Sequence, residues 1–231
     1  MTRLTGIKSI TLDVDGTLWD FLGMMRGSLQ KALRELERHD PEAAAILDVD
    51  KMVETRDRVH IEMRDVTPDL VEIRKASFRQ ALIDVGRPDD ALAERLSDVY
   101  FEHRWAPSRP FDDVRPALEA LAPRYRLGII SNGNSYPERF GLGHLFSFGV
   151  YAQDHGGINK PDPRLFQIAI HEAGCQPHEL LHVGDSLRSD VGGAKGVGAW
   201  VVWVNRDGAT ADGEHQPDFQ ISALSELLEI L

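Results

Sequence analysis

Two periodicities divide the chain. Residues 7–14 form a short, mostly apolar and β-branched run closed by Asp15-Gly16, which predicts a buried strand. From residue 18 to residue 110 the spacing changes to 3.6. In 28–38, Leu29, Leu33 and Leu36 make one apolar stripe with charges opposite. Segments 50–64, 70–85 and 89–104 repeat the pattern, and Pro41, Pro68 and Pro88 stand near their predicted starts. Charged stretches such as Glu54 to Arg58 read as solvated helix faces. From Phe111 onward helix and strand alternate: helix 114–121, strands 127–131 and 148–152, helix 163–173, strand 180–183, helix 191–197, strand 199–204 and a terminal helix 222–231. Short apolar strands alternating with helices predict βαβ units and a mostly parallel sheet covered on both faces. The first strand belongs to that sheet. The expected architecture is therefore α/β, with a Rossmann-like core of 1–17 and 111–231 and an all-helical insertion over 18–110.

Composition narrows this picture. A length of 231 residues allows one large domain, or one domain carrying a smaller one. Against 37 acidic residues stand 26 Lys and Arg, a formal net charge of −11. That balance disfavours nucleic acid, whose binding rests on neutralising phosphates. Cys175 is the single cysteine, so an intrachain disulfide and a Cys-type zinc cluster are both excluded. It reads as an inert, partly buried thiol. Residues 1–9 lack the basic start and apolar core of a signal peptide, and no apolar run approaches the ~18 residues of a membrane span. A cytoplasmic protein without membrane contact is expected, as a monomer or a homodimer.

In open α/β sheets, ligands bind outside the carboxyl ends of the strands. The strand ends carry the candidate chemistry. Asp13 and Asp15, two apart on an extended backbone, point to the same side. Two like charges that close are costly unless a cation lies between them or one keeps a proton. An Asx-type turn is the local alternative. Strand 127–131 runs into Ser131-Asn132-Gly133-Asn134, where a hydroxyl and turn N–H groups suit an anion, although the same residues make ordinary turns. Lys160 is fixed between Asn159 and Pro161, just before Asp162-Pro163 opens a helix. Aimed at the site it is a point charge for phosphate oxygens; aimed outward it is a solubilising lysine. Strand 180–183 ends in Gly184-Asp185, with Asp190 five residues on. Asp190 also suits a helix N-terminus, whereas Asp185 shares the edge of Asp13 and Asp15. Converging carboxyl oxygens of this kind suit Mg²⁺.

Other signals carry less. The run Gly192 to Gly198 lacks P-loop or dinucleotide spacing, and close helix–sheet packing explains its glycines. The nine histidines show no metal-ligand spacing, with His155 and His182 the ones nearest the site, and no Ser sits in a G-x-S-x-G elbow. Trp19, Phe21, Met24 and Met25 either line a pocket mouth or pack, and the loop 65–68 between two helices reaches towards the same mouth.

The ordered set Asp13-x-Asp15-Gly16-Thr17, Ser131-Asn132, Lys160-Pro161 and Gly184-Asp185 with Asp190 resembles the four motifs of the haloacid dehalogenase (HAD) superfamily. The helical insertion resembles that family's C1-type cap. The resemblance implies an aspartyl-phosphate chemistry on a small phosphorylated metabolite. Asp13 would be the nucleophile, and Asp15 would protonate the leaving oxygen and later activate water. Ser131, Asn132 and Lys160 would hold the phosphoryl group. Asp13, the carbonyl of Asp15, and Asp185 would bind Mg²⁺, with Asp190 supporting them from behind. Asp15 also separates branches, because haloacid dehalogenases of this family lack a second carboxylate there. A phosphatase is thus implied. A phosphomutase of the β-phosphoglucomutase kind, a dehalogenase and a HAD-like binding module are the alternatives. Segments 131–134, 140–143 and 203–206 are similar to bacterial phosphatases acting on flavin mononucleotide or the phosphoribitylamino-uracil riboflavin precursor, so flavin mononucleotide and sugar or nucleotide phosphates are the candidate substrates.

Overall fold

The chain's architecture was read from a computed structural model that describes residues 3–211 and 213–231. It divides into two compact units, Met1–Asp20 with Ser108–Leu231, and Phe21–Pro107.

The Phe21–Pro107 unit is helical throughout: α1 (Phe21–His39), α2 (Pro41–Ile46), α3 (Val49–Met63), α4 (Leu70–Asp84) and α5 (Asp90–Arg104). Asp40, Asp48, Asp69 and Asp89 cap the last four, each accepting from a backbone N–H of the first turn. The apolar stripes meet in one core that includes Leu29, Leu36, Phe78, Leu82, Leu96 and Tyr100. Full burial of a Leu or Phe there contributes about 1.5–3 kcal/mol each.

The other unit holds a six-stranded sheet in the order β3-β2-β1-β4-β5-β6. Its strands are β1 (Ser9–Leu12), β2 (Arg126–Ser131), β3 (Phe148–Tyr151), β4 (Leu180–Gly184), β5 (Trp200–Val204) and β6 (Phe219–Ile221). Every pairing is parallel. Helices α6 (Val114–Leu121), α7 (Pro163–Ala173), α8 (Gly192–Gly196) and α9 (Leu227–Ile230) accompany the strands. Leu165, Phe166 and Ala194 of α7 and α8 pack with Ile130, Val150 and Val201 of the sheet. From β1 the chain first builds β2 and β3 on one side, then crosses to β4 on the other. The order therefore reverses between β1 and β4, which is where such sheets open a crevice.

The elements depart from the sequence pattern in four places. The regular part of the first strand is Ser9–Leu12 rather than 7–14, since Ile7 and Lys8 are not buried; Asp13 N–H still donates to Val183 O (2.9 Å). The edge strand β6 has only three residues, too short for a period to show. The terminal helix shrinks to a 3₁₀ turn and α9, because the Glu226 carboxylate takes the N–H groups of Ser222 and Ala223 as a cap. The expected helix 191–197 begins earlier, as a π turn over Leu187–Val191 that turns Asp190 inward, before α8. Helix–sheet packing does not account for the glycines of this segment: a Cβ on Gly193 would run into the Phe166 ring of α7, a helix, and one on Gly196 would meet nothing within 4 Å. Among the described residues no helix is long and apolar enough to cross a membrane.

Candidate active site

The carboxyl ends of β1, β2 and β4 bring the predicted residues to one edge. Asp13 leaves β1 with its side chain only 10% exposed, and the Lys160 ammonium meets its Oδ1 at 2.6 Å. Lys160 Nζ also donates to Asp190 Oδ1 (2.7 Å) and to Ile130 O (2.8 Å), so all three of its protons are committed inside the protein. The loop that carries it is clamped by Asn132, whose Oδ1 accepts from Lys160 N (2.7 Å) and whose Nδ2 donates to Lys160 O (3.1 Å). Both ends of the Asn132 amide thus hold Lys160 in place. The Lys160–Pro161 peptide is cis. Ser131, buried at the end of β2, accepts from Gly133 N–H on its hydroxyl oxygen (3.0 Å).

Charge is unevenly shared in this cluster. Burial alone would lower Lys160, but the charges of Asp13 and Asp190 outweigh it and hold the ammonium above its usual range. For Asp190, burial pushes upward and is overcome by Lys160 and by the His182 hydrogen bond, leaving it well below the usual carboxylate range. Asp13 goes the other way. Burial is its largest influence, only partly offset by Lys160, and the charges of Asp190 and Asp185 add to it, so its carboxyl is raised well above the ordinary value. Desolvation and then the charge of Asp190 push Asp185 up to about 6, although the residue keeps solvent on one side.

One oxygen each from Asp13, Asp185 and Asp190 lies within 4.8 Å of the others. Three carboxylates facing one ammonium leave negative charge uncompensated, and the donors are all hard oxygens. That set fits a Mg²⁺ ion. The Asp15 carboxylate is not in this group. It accepts instead from the Trp19 indole N–H on Oδ1 at 2.7 Å. Two close approaches explain the motif glycines. Gly16, at φ +90°, has no room for a Cβ because the Asp185 carboxylate lies there, and a Cβ on Gly133 would overlap Asp15 Oδ2.

Several supporting residues were not legible as such, although His182 was expected near the site. Trp203 donates its indole N–H to Asp185 O (2.8 Å) and so fixes the β4 loop. His182, fully buried, meets Asp190 Oδ1 through Nε2 (3.1 Å) and Thr11 Oγ1 through Nδ1 (3.0 Å). Burial lowers its pKa, so the ring is neutral, with Nε2 donating to the carboxylate and Nδ1 accepting the threonine proton. Arg206 pairs with Asp113 (3.0 Å), covers the Phe111 ring at 4.0 Å and donates to Thr17 O (3.1 Å), bracing the loop after Asp13. Of the aromatic and Met residues after the first motif, Trp19 and Met25 are buried and packed, and Phe21 packs partly against the helical core. Cys175 is a buried free thiol.

The pattern of the haloacid dehalogenase-like hydrolases matches residues 7–198. The chain belongs to that family. It is a HAD hydrolase, and its curated relatives include phosphatases. The 5-amino-6-(5-phospho-D-ribitylamino)uracil phosphatase of Escherichia coli (strain K12) is 29% identical over 97% of this chain and 96% of its own length. The glyceraldehyde 3-phosphate phosphatase of Methanopyrus kandleri is 26% identical over 97% of each. Among solved structures, a 2-haloacid dehalogenase from Pseudomonas syringae pv. Tomato DC3000 superposes with a TM-score of 0.77 at 33% identity, over 97% of both chains.

Proposed function

We propose that this HAD hydrolase is a Mg²⁺-dependent phosphatase of small phosphorylated metabolites, working through a phosphorylated Asp13. The observation that carries the reading is the division of labour at one strand exit. Asp13 is buried against Lys160, while Asp15, two residues on, has its carboxylate held apart by an indole N–H. Paired carboxylates in different surroundings are how a site separates nucleophile from acid. Asp13 attacks phosphorus, and Asp15 hands a proton to the leaving oxygen, then takes one from the water that hydrolyses the acyl phosphate. Ser131 at the end of β2 offers its hydroxyl proton to a phosphoryl oxygen. Lys160, its donors already committed, acts as a fixed positive charge beside the reacting oxygen of Asp13. Mg²⁺, held by Asp13, Asp185 and the Asp15 carbonyl with Asp190 behind, supplies the remaining positive charge when bound.

A dehalogenase is the second reading, favoured by the Pseudomonas syringae likeness. It has no use for an acid at the position of Asp15, since a halide leaves unprotonated. The Escherichia coli relative points to a ribitylamino-uracil phosphate or flavin mononucleotide as first substrates to try. The deciding experiment measures phosphate release from flavin mononucleotide, sugar phosphates, nucleotides and p-nitrophenyl phosphate, and halide release from 2-chloropropionate, each with Mg²⁺ and with EDTA. Phosphate release that EDTA abolishes is the expected result. Halide release with no phosphate release overturns the proposal.

A further inference from the structure

We propose that Trp19 is a positioning residue that makes Oδ2 of Asp15 the proton-carrying oxygen. The inference rests on the phosphatase reading above and adds a residue to it. An indole nitrogen can only donate, so the Asp15 oxygen it faces, Oδ1 at 2.7 Å, must present a lone pair to it. The proton of the acid form then belongs on Oδ2. That oxygen lies against the Ser131 turn, since a Cβ on Gly133 would overlap Asp15 Oδ2 and stand 3.5 Å from Ser131 Oγ. The reactive oxygen of the acid thus lies beside the turn that carries the hydroxyl assigned to the phosphoryl group.

Trp19 can impose this because its own place is fixed. The side chain is 2% exposed, and its ring lies 4.8 Å from the Phe140 ring. Its carbonyl accepts from Gly16 N–H (3.0 Å), Leu18 N–H donates to Val14 O (2.9 Å), and Asp15 and Trp19 are bridged through their backbones. A half-buried carboxyl on a short loop would otherwise sample several rotamers, and orienting it in advance removes that cost from the barrier.

The chemistry balances as follows. The bond between phosphorus and the ester oxygen breaks while an Asp13 oxygen bonds to phosphorus. The electron pair stays on the departing oxygen, which takes the proton from Asp15 Oδ2. Water then attacks phosphorus, gives a proton to Oδ2 and frees Asp13. An alkoxide needs the first proton transfer, whereas p-nitrophenolate leaves without it.

Trp19→Phe keeps an aromatic ring against Phe140 and removes the indole N–H together with part of the ring's bulk. In this variant kcat/KM for an alkyl phosphate falls about tenfold or more, while kcat/KM for p-nitrophenyl phosphate stays within about threefold, because general acid catalysis contributes only to the former. Equal losses on both substrates, or no loss on either, overturn the proposal. A second measurement is independent of activity. In protein labelled with ¹⁵N-tryptophan, the indole proton missing from Trp19→Phe is that of Trp19. It resonates downfield of that of the partly exposed Trp200 and moves upfield in Asp15→Ala. An indole resonance indifferent to Asp15 overturns the inference even if the enzyme proves to be a phosphatase. A wild type inactive on every phosphate, with the resonance shift present, overturns instead the phosphatase reading and the catalytic role drawn from it.

Discussion

The two units of the chain handle charge in opposite ways. In the helical unit most charged groups stay at the surface, in pairs such as Arg58–Asp84, Lys75–Glu94 and Arg87 with Asp40 and Glu42, each with a substantially exposed partner, while Arg104 is buried over the Phe21 ring. Its interior is mostly apolar, and its buried carboxylate, Glu35, is surrounded by Arg38, His39 and Arg95. In the α/β unit Asp13, Lys160, Asp190 and His182 are all buried in one continuous hydrogen-bonded chain. Exposed pairs contribute little, because water screens them. Buried ones are expensive to desolvate and each depends on its partner. The comparison teaches that the helical unit spends its sequence on folding, and the strand ends of the other unit spend stability on a preorganised site.

Removing the nucleophile gives the largest effect. Asp13→Asn is expected to lower kcat by about 10⁴-fold or more, since an amide cannot take its place. Circular dichroism should show the fold retained, and phosphate release checks the loss. Full turnover would take Asp13 out of the reaction. Next comes the cation. Lys160→Met leaves Asp13 and Asp190 buried without their counter-charge and should cost about 3–5 kcal/mol in urea unfolding. A loss below about 1 kcal/mol, the scale of an exposed pair, would erase the contrast between the units.

Glu35 sharpens the comparison through pH. Hydrogen bonds from Arg95 and Arg38 hold it down to about 2, against an ordinary 4.5. A carboxyl whose folded pKa is depressed contributes fully above its unfolded pKa and loses that contribution as pH falls through the folded one. Wild type and Glu35→Gln should therefore differ in urea midpoint at pH 6 and converge as pH falls from about 4.5 to about 2. A difference that ignores pH would show that Glu35 acts by packing. The smallest effect is predicted for Arg58→Ala, which breaks the pair with Asp84 and should change stability by about 0.5 kcal/mol or less. A loss of several kcal/mol in thermal unfolding would mean that surface pairs matter here after all.

Much of this was readable in advance. The 3.6-residue stripes and the Pro and Asp positions marked the helices, because an amphipathic helix writes its period into the chain. The alternation after Phe111 marked the parallel sheet. The ordered motifs put Asp13, Ser131 and Asp185 at strand ends, Lys160 just before a helix and Asp190 in the turn after β4. What stayed hidden were contacts between residues far apart in sequence. Nothing near Asn132 in the sequence says that its side-chain amide bonds both backbone groups of Lys160, 28 residues away. Trp203 shows nothing in its neighbourhood to say that its indole holds the carbonyl of Asp185.

By itself the sequence determined the order of elements, the family and the chemical types at each strand end, since these follow from local period and short motifs. Only the tertiary structure decided which oxygen of Asp15 faces the indole, which proton of Lys160 goes to which acceptor, and why Gly16 and Gly133 must lack a side chain. Those are matters of distance and direction, and a hydrogen bond or a steric contact is set within a few tenths of an ångström by how separate segments pack, which no linear spacing records.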